Sequence, residues 1–318
     1  MNAHPYETMR HSPLTILRVF IPFAAAYFLS YIFRVVNAVI APDLIADIGL
    51  SPSALGMLTS IYFISFAACQ LPLGVLLDRF GPRRTEAILL LFAGVGALLF
   101  SRAESLTGLV IGRAFIGFGV SSCLMAAFKA YTIWIPREKW PLINGLQMAA
   151  GGLGALAATS PIETALRFTD WRGLFFVLML VTLLAAITVF LIVPEKPGPV
   201  QGESLQNQLG GIRHVFTSSR FWRTAPLTTM SQAAFLSIQG LWAGPWLRDV
   251  SGLARPGAAD VLFWVAMAMI AGFIILWPAG DNGTFSDLGF KTGFAMMLGL
   301  QGIALIWFIV ASKRFHKE

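Results

Sequence analysis

Charge is scarce in this sequence of 318 residues: Lys, Arg, Asp and Glu together make up 12%, against 56% hydrophobic residues. With a mean hydropathy of +0.71, a soluble domain of this length is excluded, and the chain reads as a polytopic membrane protein. Cysteine is nearly absent. Cys69 and Cys123 both fall in apolar stretches, which excludes a disulfide framework and a zinc site. His4, His11, His214 and His316 lie outside the apolar stretches, which excludes an intramembrane histidine relay. No nucleophile–base pair, phosphate loop or metal cluster is present, so neither an enzyme, a cofactor nor a metal is expected. Acidic residues avoid the span interiors. Every Asp and Glu lies in a loop, a tail or at a span end, with Glu86 and Glu163 closest to the membrane. That argues against a proton-carrying carboxylate in the core. The net charge of +7 does not point to nucleic acid, because the cations sit in short loops between apolar runs.

What is there is a succession of apolar spans, so the fold class is all-α. Residues 1–13 are a polar tail. Spans are expected at about 14–41, 53–77, 86–101, 107–134, 141–162 and 173–193. Ser51-Pro52-Ser53 is a helix-start signal for the second span. Residues 194–222 turn rich in Pro, Gly, Gln and Ser and read as a linker. Three more spans follow within 223–318, at about 224–247, 258–279 and 290–311. With the N-terminus inside, the inner loops hold Arg79, Arg83, Arg84, Arg137, Lys139, Lys196, Arg213 and Arg220. The outer loops hold Arg102, Arg167, Arg172, Arg248 and Arg255. The asymmetry favours a cytoplasmic N-terminus and a cytoplasmic linker. Lys313, Arg314 and Lys317 break the rule, since nine spans place them outside.

The chain is organised around Gly74-Val-Leu-Leu-Asp78-Arg79-Phe-Gly81-Pro82-Arg83-Arg84. Gly74 lets another helix approach closely, Gly81-Pro82 forces a tight turn, and Arg79, Arg83 and Arg84 keep that turn cytoplasmic. The pattern resembles the signature loop between helices 2 and 3 of the major facilitator superfamily of transporters, with Pro82 as the departure. Arg113-Ala-Phe-Ile-Gly117-Phe-Gly119 resembles the superfamily's helix 4 motif. The resemblance implies a complete N-terminal six-helix half over 14–193, a cytoplasmic linker over 194–222 and a partial C-terminal half over 223–318. It implies alternating access in an inner (plasma) membrane permease. In the family, the acid at Asp78 holds the signature loop against helix 11. With about three helices in the second half, Asp78 is expected to lack that partner, and a complement of three helices is expected to be missing. The alternative to a working permease is then a truncated or frameshifted one with little transport of its own.

A charge inside the bilayer is costly and marks a functional site by default. Arg34 shares a helical face with Tyr27, Tyr31 and Ala38, flanked by Ser30 and Asn37. The segment resembles the first helix of the organophosphate:phosphate antiporter branch, where an arginine holds the substrate phosphate. Residues 14–120 also resemble bacterial relatives of lysosomal dipeptide transporters, which implies a zwitterionic peptide with its carboxylate on Arg34. The substrate-binding set expected here is Arg34, Tyr31, Asn37, Lys129, Gln147 and Gln239. Alternatives remain for each. Arg34 can bond backbone carbonyls, Lys129 can snorkel to the inner surface, and Gln147 and Gln239 can lie in packing seams. Arg113 reads equally as a coupling residue or as part of the Gly117/Gly119 packing. Gly151 and Gly154 in the fifth span read as close-packing positions. Cations in the cavity without a core carboxylate imply a positive potential and an anionic or carboxylate-bearing solute. A transporter-like membrane sensor that binds without moving its solute is the other reading.

Overall fold

In the computed structural model the described residues are 13–195, with 216–218, 221, 222, 225, 243, 247, 248, 252–254 and 256–264. Most of the linker, most of the three later spans and Gln239 lie outside the described residues. The first half is helical throughout. Helix α1 is Pro13–Ile48, and α2 is Pro52–Ser101, broken at Gly81 into 52–80 and 82–101. Then come α3 Leu106–Gly119, α4 Cys123–Trp134, α5 Trp140–Ala157, the short α6 Ser160–Ala165 and α7 Trp171–Ile192. Five of these stretches are long and apolar enough to cross a membrane: Pro13–Ile48, Ser53–Gln70, Pro72–Ser101, Leu106–Trp134 and Trp171–Ile192. The expected fifth span, α5, forms an 18-residue helix packed on α1 but is less apolar, because Asn144 and Gln147 dilute it.

Local chemistry sets the boundaries. The first span runs past its expected end at 41, through Pro42, to Ile48. It stops at Gly49, whose φ of 71° lets its N–H return to the Ile45 carbonyl at 2.9 Å. Ser51 then caps α2 as its sequence signals. Its hydroxyl accepts the Ala54 N–H at 3.2 Å, with Pro52 in the first turn. At Gly81, φ is 76° and ψ 165°, the turn expected at Gly81-Pro82. The expected fourth span is not one helix: it is interrupted over 120–122, between α3 and α4.

Packing follows the glycines. A Cβ on Gly117 would strike the Tyr62 carbonyl oxygen, and one on Gly119 the backbone of Ala93. Segment 82–101 therefore lies on α3, and segment 52–80 crosses it at Gly117. Gly154 lies equally close to the Phe28 carbonyl. Gly74 has no such neighbour in the first half. Nothing among the described residues comes within 4 Å of the place its Cβ would take, so no close helix meets it in this half. At one end of the bundle, Asp47 ties three elements together. It accepts the Trp171 indole N–H at 2.8 Å and pairs with Arg172 at 2.8 Å, whose other nitrogen reaches the Ala103 carbonyl. At the opposite end Arg83 donates to the Phe190 carbonyl at 2.6 Å, and Arg83 and Arg84 both pair with Glu195. The signature-loop cations thus also fasten that turn to the end of α7, while Arg79 is exposed over the Phe80 ring.

Candidate functional site

Arg34 lies well inside α1, with more than three turns of helix on either side. Its guanidinium carbon is 4.5 Å from the Tyr31 ring centroid and 5.4 Å from that of Phe66. The phenols of Tyr62, Tyr31 and Tyr27 are the groups that act on its charge. Tyr27 and Tyr31 meet edge to face at 5.1 Å, and the space for both rings comes from Gly151 of α5, where a Cβ would lie 2.5 Å from Tyr27. Arg34 forms no ion pair among the described residues, and its buried Nε has no hydrogen-bond partner. The result is a cation in an aromatic collar with unspent donor capacity.

The other expected site residues are distributed differently. Asn37 turns toward α2, where its Nδ2 donates to Thr59 Oγ1 at 3.4 Å, and its Oδ1 has no partner. Gln147 is fully buried and engaged at both ends. It accepts the Tyr131 hydroxyl at 2.7 Å and donates to the Phe23 carbonyl at 3.3 Å, so it stitches α5 to α4 and α1. Lys129 points to Asp78, with Nζ and Oδ1 2.7 Å apart. Asp78 therefore has a partner within the first half, on α4; the helix 11 contact expected to be missing lies outside the described residues. Of the expected set, the structure brings together Arg34 and Tyr31. It adds Tyr27, Tyr62 and Phe66, and the signal for the last two was an i, i+4 aromatic pair in the middle of a span.

Arg113 has a different setting. It is 1% exposed, and its Nη1 donates to the Phe33 carbonyl at 2.8 Å, one residue before Arg34. Its guanidinium lies 5.5 Å from the rings of both Tyr62 and Phe100. Tyr62 therefore separates two arginines, one held by backbone and one not.

One sequence reading fails. Glu86, taken as a span-end residue, is fully buried, with Oε2 accepting the Ser122 hydroxyl at 2.7 Å. The core does contain a carboxylate.

Beyond Arg34, α1 reaches a second contact. Ala38 and Val39 line a small space with Glu163, Arg248, Ala258, Ala259 and Leu262. Nearby, the Ser160 hydroxyl donates to Asp260 Oδ1 at 2.8 Å.

A bundle with five helical stretches long and apolar enough to cross a membrane defines a polytopic membrane protein. The family model described as Major Facilitator Superfamily matches residues 23–315, and the chain belongs to that superfamily of transporters. It is therefore a transporter and not an enzyme. It is 31% identical to the "Probable sulfoacetate transporter SauU" of Cupriavidus necator, over 87% of this chain and 68% of that protein. It is 22% identical to the "Probable nitrate/nitrite antiporter NarK1" of Thermus thermophilus, over 83% and 67%. Among solved structures it resembles a D-xylose-proton symporter, with TM-score 0.63 and 16% identity over 82% of this chain and 68% of that one. A bacterial homolog to the human lysosomal transporter Spinster, inward-facing and occupied, gives TM-score 0.61 and 19% identity over 86% and 62%. These two likenesses bear on the fold alone. The chain thus spans about two thirds of the length of these proteins.

Proposed function

We propose that this transporter moves a small anion or carboxylate-bearing solute across the plasma membrane by alternating access, with Arg34 as the residue that binds the anionic group. The observation that supports this reading is the half-buried Arg34 side chain, with no acid paired to it among the described residues and a buried Nε without a partner. A planar fork of N–H donors suits a carboxylate, sulfonate or nitrate, each of which presents two oxygens to it. Tyr31 and Tyr27 offer hydroxyls beside it. The two relatives are named for sulfoacetate and for nitrate/nitrite, anions of this chemical class. Lys129, Asn37, Gln147 and Gln239 stand behind Arg34 in this proposal, Lys129 as a cation that can be freed from Asp78. The N-terminus and residues 194–222 are cytoplasmic in this reading, so the contact of Ser160 with Asp260 lies at the outer end. Closure there, above Arg34, fits a site reached from the inside.

Counterflow in liposomes tests the reading. Vesicles holding the chain and loaded with sulfoacetate or nitrate should accumulate labelled anion, and Arg34→Ala should abolish this. Accumulation that is equal with Arg34→Ala would overturn the assignment. For topology, an impermeant thiol reagent on intact cells should label a cysteine placed at position 170 and not one at 205; labelling at 205 would reverse the orientation.

A further inference from the structure

Glu86 is the one carboxylate among the described residues that is fully buried. It stands four residues past Pro82, about 6 Å of helix from the Gly81 turn, and is nevertheless enclosed on all sides. One carboxyl oxygen, Oε2, accepts the Ser122 hydroxyl at 2.7 Å, and the other, Oε1, is buried without a partner. Ser122 belongs to the interruption between α3 and α4. Across that same interruption Gln70 Nε2 donates to the Ser121 carbonyl at 3.0 Å. Two side chains of α2, Gln70 and Glu86, thus hold the break, one from each of its segments.

The groups facing Glu86 are the Ser122 hydroxyl, the Cys123 thiol and the Tyr131 phenol, all from the break or α4. Among the described residues no cation acts on it. The cations of the neighbouring elements are engaged elsewhere. Lys129 of α4 is with Asp78, and Arg113 of α3 is with the Phe33 carbonyl. Arg83 and Arg84, on the helix of Glu86 itself, are with Phe190 and Glu195. The ionisable residue of α7, Arg172, is at the far end with Asp47. On α1, Arg34 extends its influence to Cys123 and lies among Tyr27, Tyr31 and Tyr62. An ionised carboxylate here would give up its water for a single hydroxyl, with no counter-charge. A neutral carboxyl loses far less.

We infer that Glu86 is a proton-binding site in the interior of the N-terminal bundle, protonated as packed here and exchanging its proton with water when the break between α3 and α4 opens. Uptake forms an O–H bond at Oε1 with a proton delivered by water, and release returns that proton to water; nothing is oxidised or reduced. Release leaves a carboxylate that binds Ser122 more strongly and draws water to the break. Because α4 also carries Lys129 and Tyr131, the protonation state of Glu86 bears on the Asp78–Lys129 pair and on the Tyr131–Gln147 bond. Glu86 binds its proton whatever solute is carried, so failure of the anion reading leaves this site standing, and the reverse holds too.

The test is the infrared carboxyl spectrum of the full chain in lipid nanodiscs, prepared with isotope-labelled glutamate. At neutral pH, where solvated carboxylates are ionised, a glutamic acid C=O band is expected. It should be lost in Glu86→Gln and lost in the wild type on raising the pH. No such band at neutral pH, or an unchanged band in Glu86→Gln, would overturn the inference. Should Glu86→Gln not fold, a hydrophobic carbodiimide, which adds to protonated carboxyls, decides on the wild type. An adduct mapped to Glu86 by mass spectrometry supports the site, and adducts confined to other carboxyls overturn it.

Discussion

Arg34 and Arg113 are the same side chain on either side of one tyrosine, and they differ in what the protein gives them. Arg113 is bonded to the Phe33 carbonyl and enclosed by Tyr62 and Phe100. Arg34 receives ring faces from Tyr31 and Phe66 and, among the described residues, no counter-charge. A buried cation with a backbone acceptor is part of the scaffold. One left short of acceptors has donors to offer a ligand. Intramembrane position alone singles out both residues; the supply of acceptors separates them.

The largest effect that sharpens this contrast belongs to the scaffold around Arg113. Gly119→Val should prevent folding, because its Cβ collides with the backbone of Ala93 and Leu89. Yield of monodisperse protein after detergent extraction measures it. Gly74→Ala, with open space around it, should leave that yield unchanged. Next come the arginines themselves. Arg113→Ala should lower stability by about 2 kcal/mol through the cavity and the lost bond. Arg113→Met should recover most of that, since a packed apolar chain replaces a buried charge at little cost. Arg34→Met should keep stability and lose anion binding. Thermal unfolding and binding, measured on the same samples, would break the contrast if both arginines behaved alike. The smallest effect is at Asp78–Lys129. Both side chains are 41% exposed, so Asp78→Asn should cost less than about 1 kcal/mol, and less still at high salt. A double-mutant cycle with Lys129→Gln reads the coupling directly; a coupling of zero would mean that the pair does not form.

Much of the architecture was legible beforehand. Hydropathy and turn chemistry located the spans of the first half, the Ser51 cap and the Gly81 turn. Helical spacing put Arg34 with Tyr31. What the sequence hid are contacts between residues far apart in it. Periodicity tells which residues share a face but not what that face meets. Lys129 and Asp78 are 51 residues apart, and Gln147 and Phe23 are 124 apart. The same limit explains Glu86. Its depth was judged from the nearby Gly81 loop on its own strand of chain, whereas its burial is set by the broken helix opposite. Val120-Ser121-Ser122 carries no proline and no positive-φ glycine to announce that break.

The most direct measurement is anion binding to the purified chain, followed by isothermal titration with nitrate and with sulfoacetate. The wild type should bind, Arg34→Lys should bind at least tenfold more weakly because a point charge replaces the bidentate fork, and Arg34→Ala should not bind. Arg113→Met should bind like the wild type. Equal affinity in the wild type and Arg34→Ala would contradict the account, and so would loss of binding in Arg113→Met with Arg34→Ala unaffected.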